Sequence, residues 1–202
     1  YADADSLTVG SVTDTAMAMS TTTSGISNDA DVRLTTGGNL AINQAISITG
    51  GSDLTLDVTG IVTQTAALSA TGLQILGTGA VDLDDSGNDV DTIAAQHSGT
   101  ICYTDVDDLA VGTVTDSAWP TAAITTSSGI TNNGDVGLTT GGNLTITNLF
   151  QITGGSDLTL EVTGTLTQTA AISAMGLQIL GTGAVQLDQS GNDVDTIAAQ
   201  HS

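Results

Sequence analysis

The sequence predicts an all-β fold: a right-handed parallel β-helix, or solenoid, with about 20 residues per coil and about ten coils. Three observations lead to this prediction. The composition disfavours helices, the sequence is duplicated, and short alternating segments recur at a regular spacing inside each copy. Together these features favour a rod of stacked coils over closed globular domains.

The composition is strongly acidic. The 202 residues include 22 Asp and Glu but only one Lys or Arg, and the formal net charge is −21 at pH 7. A nucleic-acid-binding protein needs Lys and Arg to displace counterions from phosphates, so this class is excluded. A helical bundle is disfavoured because Lys, Arg and Glu ordinarily cover exposed helix faces. Since 39% of the residues are apolar, the chain can form a core, yet no apolar run is long enough for a membrane-spanning segment.

The duplication covers almost the whole chain. Residues 1–14 return at 103–116 with an offset of 102, and residues 25–98 return at 129–202 with an offset of 104. In the longer pair of segments, 57 of the 74 aligned positions are identical. Two such similar neighbours are expected to stack as a tandem array rather than to act as separate enzymes.

We therefore expect two β-helical repeat units, residues 1–102 and 103–202, with the second continuous with the first. The chain opens with Tyr rather than Met and stops where the link to a further unit would begin, so we expect it to come from a longer array. The two-residue insertion near Trp119–Pro120 predicts a loop that leaves the rod, where a partner could dock.

Short segments that alternate apolar and polar residues predict strands with one buried face. The stretches between them are rich in the turn residues Gly, Asn, Asp, Ser and Thr. Similar segments return after about 17 to 22 residues, so each unit is predicted to hold about five coils. The predicted strand segments are 32–34, 40–42, 46–48, 54–58, 73–75, 81–83, 101–103 and 109–111.

A parallel β-helix explains the seamless duplication, whereas a sandwich or a barrel would close on itself. Each coil pairs its backbone with the coils above and below at about 4.8 Å, so about ten coils form a rod roughly 50 Å long. The interior of such a rod is narrow, and small aliphatic side chains fill it without aromatic residues. Gly and Asn suit the corners because they tolerate positive φ.

The motifs resemble the repeats of filamentous-haemagglutinin-type adhesins, which are long bacterial surface and secreted proteins. The matching segments are Ser86–Asp91 with Ile93–Ala95, their copies Ser190–Asp195 with Ile197–Ala199, and Leu109–Val114. The resemblance implies the shaft of an extracellular filament or surface adhesin, located outside a bacterial cell. Its partners would be further copies of the same repeat, within the chain or head-to-tail between chains.

The acidic segment Asp84–Asp91 is the best candidate for a metal site, because carboxylates and an Asn carbonyl are ligands that suit Ca²⁺. Its spacing matches neither an EF-hand loop nor a calcium β-roll, and its copy has Gln189 in place of Asp85. We favour a solvated turn in which Asn88 or Asp89 bonds its own backbone. Ca²⁺ is the alternative, and no other cofactor is predicted. A second acidic set is equally open: Asp3, Asp5, Asp105, Asp107 and Asp108.

The histidines and the cysteine give weaker signals. His97 and His201 occupy equivalent places about five coils apart, too far to share a metal, and are predicted to be exposed turn residues. Cys102 lies in an alternating segment and is either a small core residue or an outward thiol, for which an intersubunit disulfide is an option.

Catalysis is not predicted. A lyase for acidic sugars needs a cation, but Arg33 is the only Lys or Arg and its copy is Gly137. A hydrolase needs two placed carboxylates and usually an aromatic platform for the sugar, and aromatic residues are only 2% of the chain. We therefore predict no catalytic, cofactor-binding or metal-binding residue and no enzymatic activity.

Two binding functions stay open beside the structural one. The first is an adhesin segment that binds a receptor or a glycan. The second is an ice-binding face built on Thr145, Thr147, Thr165 and Thr167. It is disfavoured because the first copy has Ala41, Asn43 and Ile61 at three of these positions, and Thr is common on outward strand positions anyway.

Overall fold

The computed structural model describes residues 1–15, 20–117 and 124–202. In these ranges the chain forms strands joined by turns and short loops, and no helix among them is long and apolar enough to cross a membrane. The strands are β1 Ala2–Asp3, β2 Leu7–Val9, β3 Ser11–Asp14, β4 Thr21–Ser24, β5 Ile26–Asn28, β6 Val32–Thr36, β7 Leu40–Ile42, β8 Ile46–Ile48, β9 Asp53–Val58, β10 Val62–Gln64, β11 Leu68–Gly77, β12 Val81–Leu83, β13 Asp89–His97, β14 Ile101–Asp105, β15 Leu109–Val111, β16 Thr113–Asp116, β17 Thr125–Ser128, β18 Ile130–Asn132, β19 Val136–Thr140, β20 Leu144–Ile146, β21 Phe150–Ile152, β22 Asp157–Val162, β23 Leu166–Gln168, β24 Ile172–Gly181, β25 Val185–Gln186 and β26 Asp193–His201.

The predicted parallel β-helix is confirmed. Most of the strands form one continuous parallel sheet that winds into a solenoid, while β3–β4 and β16–β17 form two separate antiparallel hairpins. All eight strand segments predicted from alternation lie in strands. The strand that crosses the boundary between the units, β14, pairs with β12 of unit one and with β19 of unit two.

The number of turns can be read from one ladder of paired residues. Its successive members are 33, 22, 19, 20, 35, 22, 19 and 20 residues apart, so the chain makes eight turns instead of about ten. Two turns are longer than predicted because each contains one of the antiparallel hairpins. The paired residues are Leu7, Leu40, Val62, Val81, Ile101, Val136, Leu158, Leu177 and Ile197.

The core is a stack of aliphatic side chains along the axis of the solenoid. Inward positions such as Leu54, Leu73 and Ile93 are completely buried, and each such side chain contributes roughly 1.5–3 kcal/mol relative to exposure. Two aromatic side chains also lie in this core, Tyr103 and Phe150, both fully buried. The strict alternation in the sequence therefore reports the inward and outward sides of each strand.

One corner of the solenoid is a column of glycines. A Cβ atom placed on Gly79 would collide with the carbonyl oxygen of Gly60, and one on Gly99 would collide with the carbonyl oxygen of Gly79. None of these three residues has a positive φ. Glycine is required at this corner because successive backbones approach closely. The predicted positive φ occurs at other turns, for example at Gly50 and Gly77.

The two units are out of phase around the rod. Four turns lead from Leu7 to Ile101, whereas the sequence copy of Leu7 is Leu109, which is eight residues further along (109 − 101 = 8). Each unit therefore comprises four turns and part of a fifth. As a result, the strands of unit two do not stack on their own sequence copies in unit one.

We call the outward side chains of residues 32–36, 53–58, 72–77 and 92–97 the long face of unit one. These segments pair consecutively and form the widest strip of sheet in the unit. The phase shift means that this strip is continued by β15 and β18, which pair with the two halves of the last segment. The long face of unit two comprises the copies of these segments: 136–140, 157–162, 176–181 and 196–201.

Candidate functional site: a hairpin that covers the long face of unit one

The second hairpin, β16–β17, leaves the solenoid beside the last segment of the long face of unit one. It is inserted between β15 and β18, and its strands pair antiparallel from Thr113 opposite Ser128 to Asp116 opposite Thr125. On its outer side the hydroxyl of Thr113 lies 3.0 Å from that of Ser128. Because β15 and β18 together continue one strip of sheet, the hairpin can only extend outward, and it folds back over the strip.

The apolar contact of the hairpin is made by Val114, whose side chain is 1% exposed. It lies over Gly72: a Cβ atom at Gly72 would come within 2.9 Å of Val114 Cγ1. Beside it, the Asp53 carboxylate accepts hydrogen bonds from the backbone N–H groups of Thr115 and Gly72. Burial raises the pKa of Asp53, and the negative charge of Asp31 raises it further. The absence of a side chain at Gly72 thus provides the seat for Val114.

A buried amide lies at the centre of the covered face. Gln74 is fully buried although it points away from the core. Its Nε2 donates to Ser127 Oγ at 2.9 Å, and its Oε1 accepts from Thr55 Oγ1 at 3.0 Å and from Thr125 Oγ1 at 3.1 Å. Two of these partners belong to the hairpin and one to the face, so the glutamine joins the two surfaces.

The only cationic side chain, Arg33, lies at the far end of the hairpin. Its Nη2 donates to Asp57 Oδ2 at 2.7 Å, and its Nη1 donates to Asp116 Oδ2 and Thr125 Oγ1, both at 3.1 Å. Burial alone would lower the pKa of Arg33, but the hydrogen bonds and charges of Asp57 and Asp116 raise it. Arg33 therefore connects a strand of unit one to the hairpin of unit two. Nearby, the backbone N–H of Ser117 donates to Asp31 Oδ2 at 3.0 Å.

The same two surfaces occur a second time, but uncovered. The first hairpin, β3–β4, is exposed along both strands, and Val12, the copy of Val114, is 73% exposed. On the long face of unit two, Gln178 and Ala198 are exposed, whereas their copies Gln74 and Ala94 are fully buried. The described part of the chain thus contains two hairpins and two matching faces, of which one hairpin and one face are joined.

The acidic segment Asp84–Asp91 is organised around a buried asparagine. Asn88 is fully buried; its Nδ2 donates to the carbonyl oxygens of Leu83 and Thr104, and its Oδ1 accepts from Leu68 N at 3.0 Å. Asn88 and Gln64 also exchange a reciprocal pair of hydrogen bonds. Asn88 is therefore a structural link between coils. The side chain that closes the turn is Asp85, which accepts from Gly87 N. The predicted solvated turn, closed by Asn88 or Asp89, is therefore wrong for Asn88, which is buried.

The second acidic set is divided by burial. Asp105 is buried and accepts hydrogen bonds from Tyr103 Oη at 2.6 Å and from Val90 N at 3.0 Å. Burial raises the pKa of both Asp105 and Tyr103. In the first strand the equivalent Tyr1 is exposed, and its Oη donates to Asp3 Oδ2 at 2.9 Å. Among the described residues, no group of three or more His, Cys, Asp or Glu side chains is arranged to hold a metal ion.

The prediction for His97 is wrong. The residue lies at the end of β13, is 8% exposed, and its Nε2 lies 2.6 Å from the carbonyl oxygen of Gly79. Burial lowers the pKa of His97. The prediction failed because the next coil covers the residue, which a turn assignment does not foresee. Its copy His201, in the last strand, is half-buried and contacts the carbonyl oxygen of Gly183.

The remaining candidates lie on the surface or outside the described ranges. Cys102 is an outward, exposed thiol. Its partial burial raises its pKa, and the negative charges of Asp82 and Asp84 raise it further. Thr145 stacks on Thr167, but the same column continues with alanine and glutamine, so the row of threonines is short. The predicted loop at Trp119–Pro120 lies outside the described residues.

Sequence reasoning missed the hairpins. Residues 11–14 and 113–116 look like ordinary linkers because their alternation is polar except for Val12 and Val114. The signal that could have revealed them is spacing: from Ile101 to Val136 the ladder needs 35 residues, well above one coil.

Comparisons of the chain with protein-family models, with curated proteins and with solved structures gave no significant match. The resemblance to filamentous-haemagglutinin-type repeats therefore stays a prediction that depends on the motifs alone.

Proposed function

We propose that this chain is a structural segment of the shaft of an extracellular filament or surface adhesin, built from tandem β-helical units. The observation that carries the proposal is the uninterrupted stacking of β12, β14 and β19, through which one unit becomes the next. A continuous backbone ladder resists bending, and the aliphatic stack inside holds the coils together. The protein would act through its shape and length, with further copies of the repeat as its partners.

Two further features agree with this role. The second hairpin fastens unit two to unit one by a buried valine, a buried glutamine and an ion pair, so the boundary between units is reinforced. The net charge of −21 disfavours side-by-side association of rods and keeps them dispersed. A shaft that must extend without bundling needs both properties.

The proposal can be tested with antibodies raised against the segment and applied to cells that carry the gene. We expect labelling of intact cells equal to that of permeabilised cells, and rows of gold particles along filaments in electron micrographs. Deletion of the gene should remove those filaments. Antigen that is reached only after permeabilisation would contradict the extracellular role.

A further inference from the structure

We propose that the first hairpin of one molecule binds the long face of unit two in a second copy of this chain, as the second hairpin covers unit one. The inference deepens the proposed shaft function, on which it rests, by naming the contact through which molecules would join head-to-tail. Its basis is that the uncovered hairpin and the uncovered face are sequence copies of two surfaces that fit each other within the chain.

The first hairpin has the form needed for this contact. Its strands pair from Ser11 opposite Ser24, in the same register as the second hairpin, and the two hydroxyls lie 2.6 Å apart on one side. The other side carries Val12, Thr21 and Thr23, the copies of Val114, Thr125 and Ser127. The apolar member, Val12, is 73% exposed. In the second hairpin the equivalent Val114 is 1% exposed, because the long face of unit one covers it.

The long face of unit two retains the residues that would contact a hairpin. Gly176, Gln178 and Ala198 are identical to the residues that contact or underlie the second hairpin in unit one, and Thr159 is the copy of Thr55. In unit two these positions are exposed or half-buried. Thr159 Oγ1 already donates to Gln178 Oε1 at 3.3 Å, as Thr55 does to Gln74. The amide of Gln178 is therefore oriented for the remaining two hydrogen bonds.

The strand pairing beside the second hairpin can be transferred to this contact as well. The last strand, β26, copies β13, while β2 and β5 copy β15 and β18. Transferring the observed pairing places Ile197 opposite Val9 of the second molecule and Ala199 opposite its Ile26. Ile197 is 64% exposed, whereas its copy Ile93 is completely buried. A head-to-tail contact that does not close produces a filament.

One difference makes the contact between molecules weaker than the one inside the chain. Arg33 is replaced by Gly137 in unit two, so the ion pair with the hairpin has no counterpart. A Cβ atom at Gly137 would have nothing within 4 Å, so an arginine can be accommodated there. Since each molecule carries a net charge of −21, we expect association to be reversible and favoured by salt.

The test is sedimentation velocity of the whole chain over a range of concentrations at about 0.5 M NaCl, where charge repulsion is screened. The wild type is expected to form oligomers that grow with concentration. Val12→Asp places a charge on the contact side of the first hairpin. Gly176→Val fills the space that the valine of the hairpin would occupy on the long face of unit two. Each variant should be monomeric. An equimolar mixture of the two should form one-to-one dimers and nothing larger, because each retains the surface that the other lacks.

Two controls complete the design. Ile61→Asp adds the same charge at an exposed position that belongs to neither surface and should associate like the wild type. Gly137→Arg should tighten association by about tenfold. Circular dichroism verifies that each variant is folded. If the Gly176→Val variant is not folded, Gln178→Leu takes its place in the experiment.

A monomeric wild type, association that Val12→Asp leaves unchanged, or a mixture without dimers would each overturn the inference. None of these results would affect the surface labelling that tests the shaft function.

Discussion

Identical residues have different environments in the two units, and this follows from their positions along the rod. Gln74 and Gln178 occupy equivalent sites in nearly identical sequence, yet Gln74 is fully buried and Gln178 is exposed. The difference is made by the second hairpin, which supplies Ser127 and Thr125 to Gln74. The chain therefore contains its own controls for measuring what the covered face contributes.

The substitution Gln74→Ala is expected to lower the free energy of unfolding by about 2–3 kcal/mol, because it leaves buried hydroxyl groups without partners and opens a cavity. The matched variant Gln178→Ala should change it by less than about 0.5 kcal/mol, as is usual for exposed positions. Urea unfolding followed by circular dichroism measures both. Equal effects of the two variants would be incompatible with the covered face.

His97 makes stability depend on pH. Because burial lowers its pKa in the folded state, the unfolded chain takes up a proton first as the pH falls through the ordinary value near 6.5. Stability is therefore complete above this pH and decreases on acidification. We expect the wild type to lose stability between about pH 7.5 and pH 5.5 relative to His97→Gln, measured as the difference between their urea midpoints. Parallel pH profiles for the two proteins would show that His97 does not titrate in this way.

Among the elements, the corners are as restrictive as the strands. At Gly79 a side chain would collide with a backbone oxygen of the preceding coil, which cannot move without disturbing the ladder. We expect Gly79→Ala to cost about 3 kcal/mol. Gly137→Ala is the control, because its Cβ has open space and its φ is not positive. Thermal unfolding of both variants tests this, and a tolerant Gly79 would mean that the coils are further apart than described.

The strands could be predicted from the sequence and the hairpins could not, for physical reasons. Alternation of apolar and polar residues marks one buried side, so segments such as 54–58 and 101–103 were identified correctly. The second hairpin buries polar side chains against another coil, and the pair formed by Ser127 of the hairpin and Gln74 of the long face carries no apolar signal. His97 was assigned incorrectly for a similar reason, since burial by a neighbouring coil depends on register.

At the scale of the whole molecule, the offset between sequence repeat and structural turn determines the architecture. Each unit is four turns and eight residues long, so the next unit begins part of a turn later and its hairpin emerges over the long face of its predecessor. A repeat with a whole number of turns would stack every hairpin above its own copy and leave every long face open. The count of coils was overestimated because the hairpin residues were included in it.

The measurement that tests this account most directly is the accessibility of the two long faces to a thiol reagent. Thr55 is 1% exposed beneath the second hairpin, and its copy Thr159 is partly open. In a chain with Cys102→Ser, Thr55→Cys and Thr159→Cys would be labelled separately with a maleimide. We predict that the thiol at position 55 reacts about a hundredfold more slowly than the one at 159, because the hairpin must open first. Equal rates would contradict the central claim that the hairpin of one unit covers the face of the other.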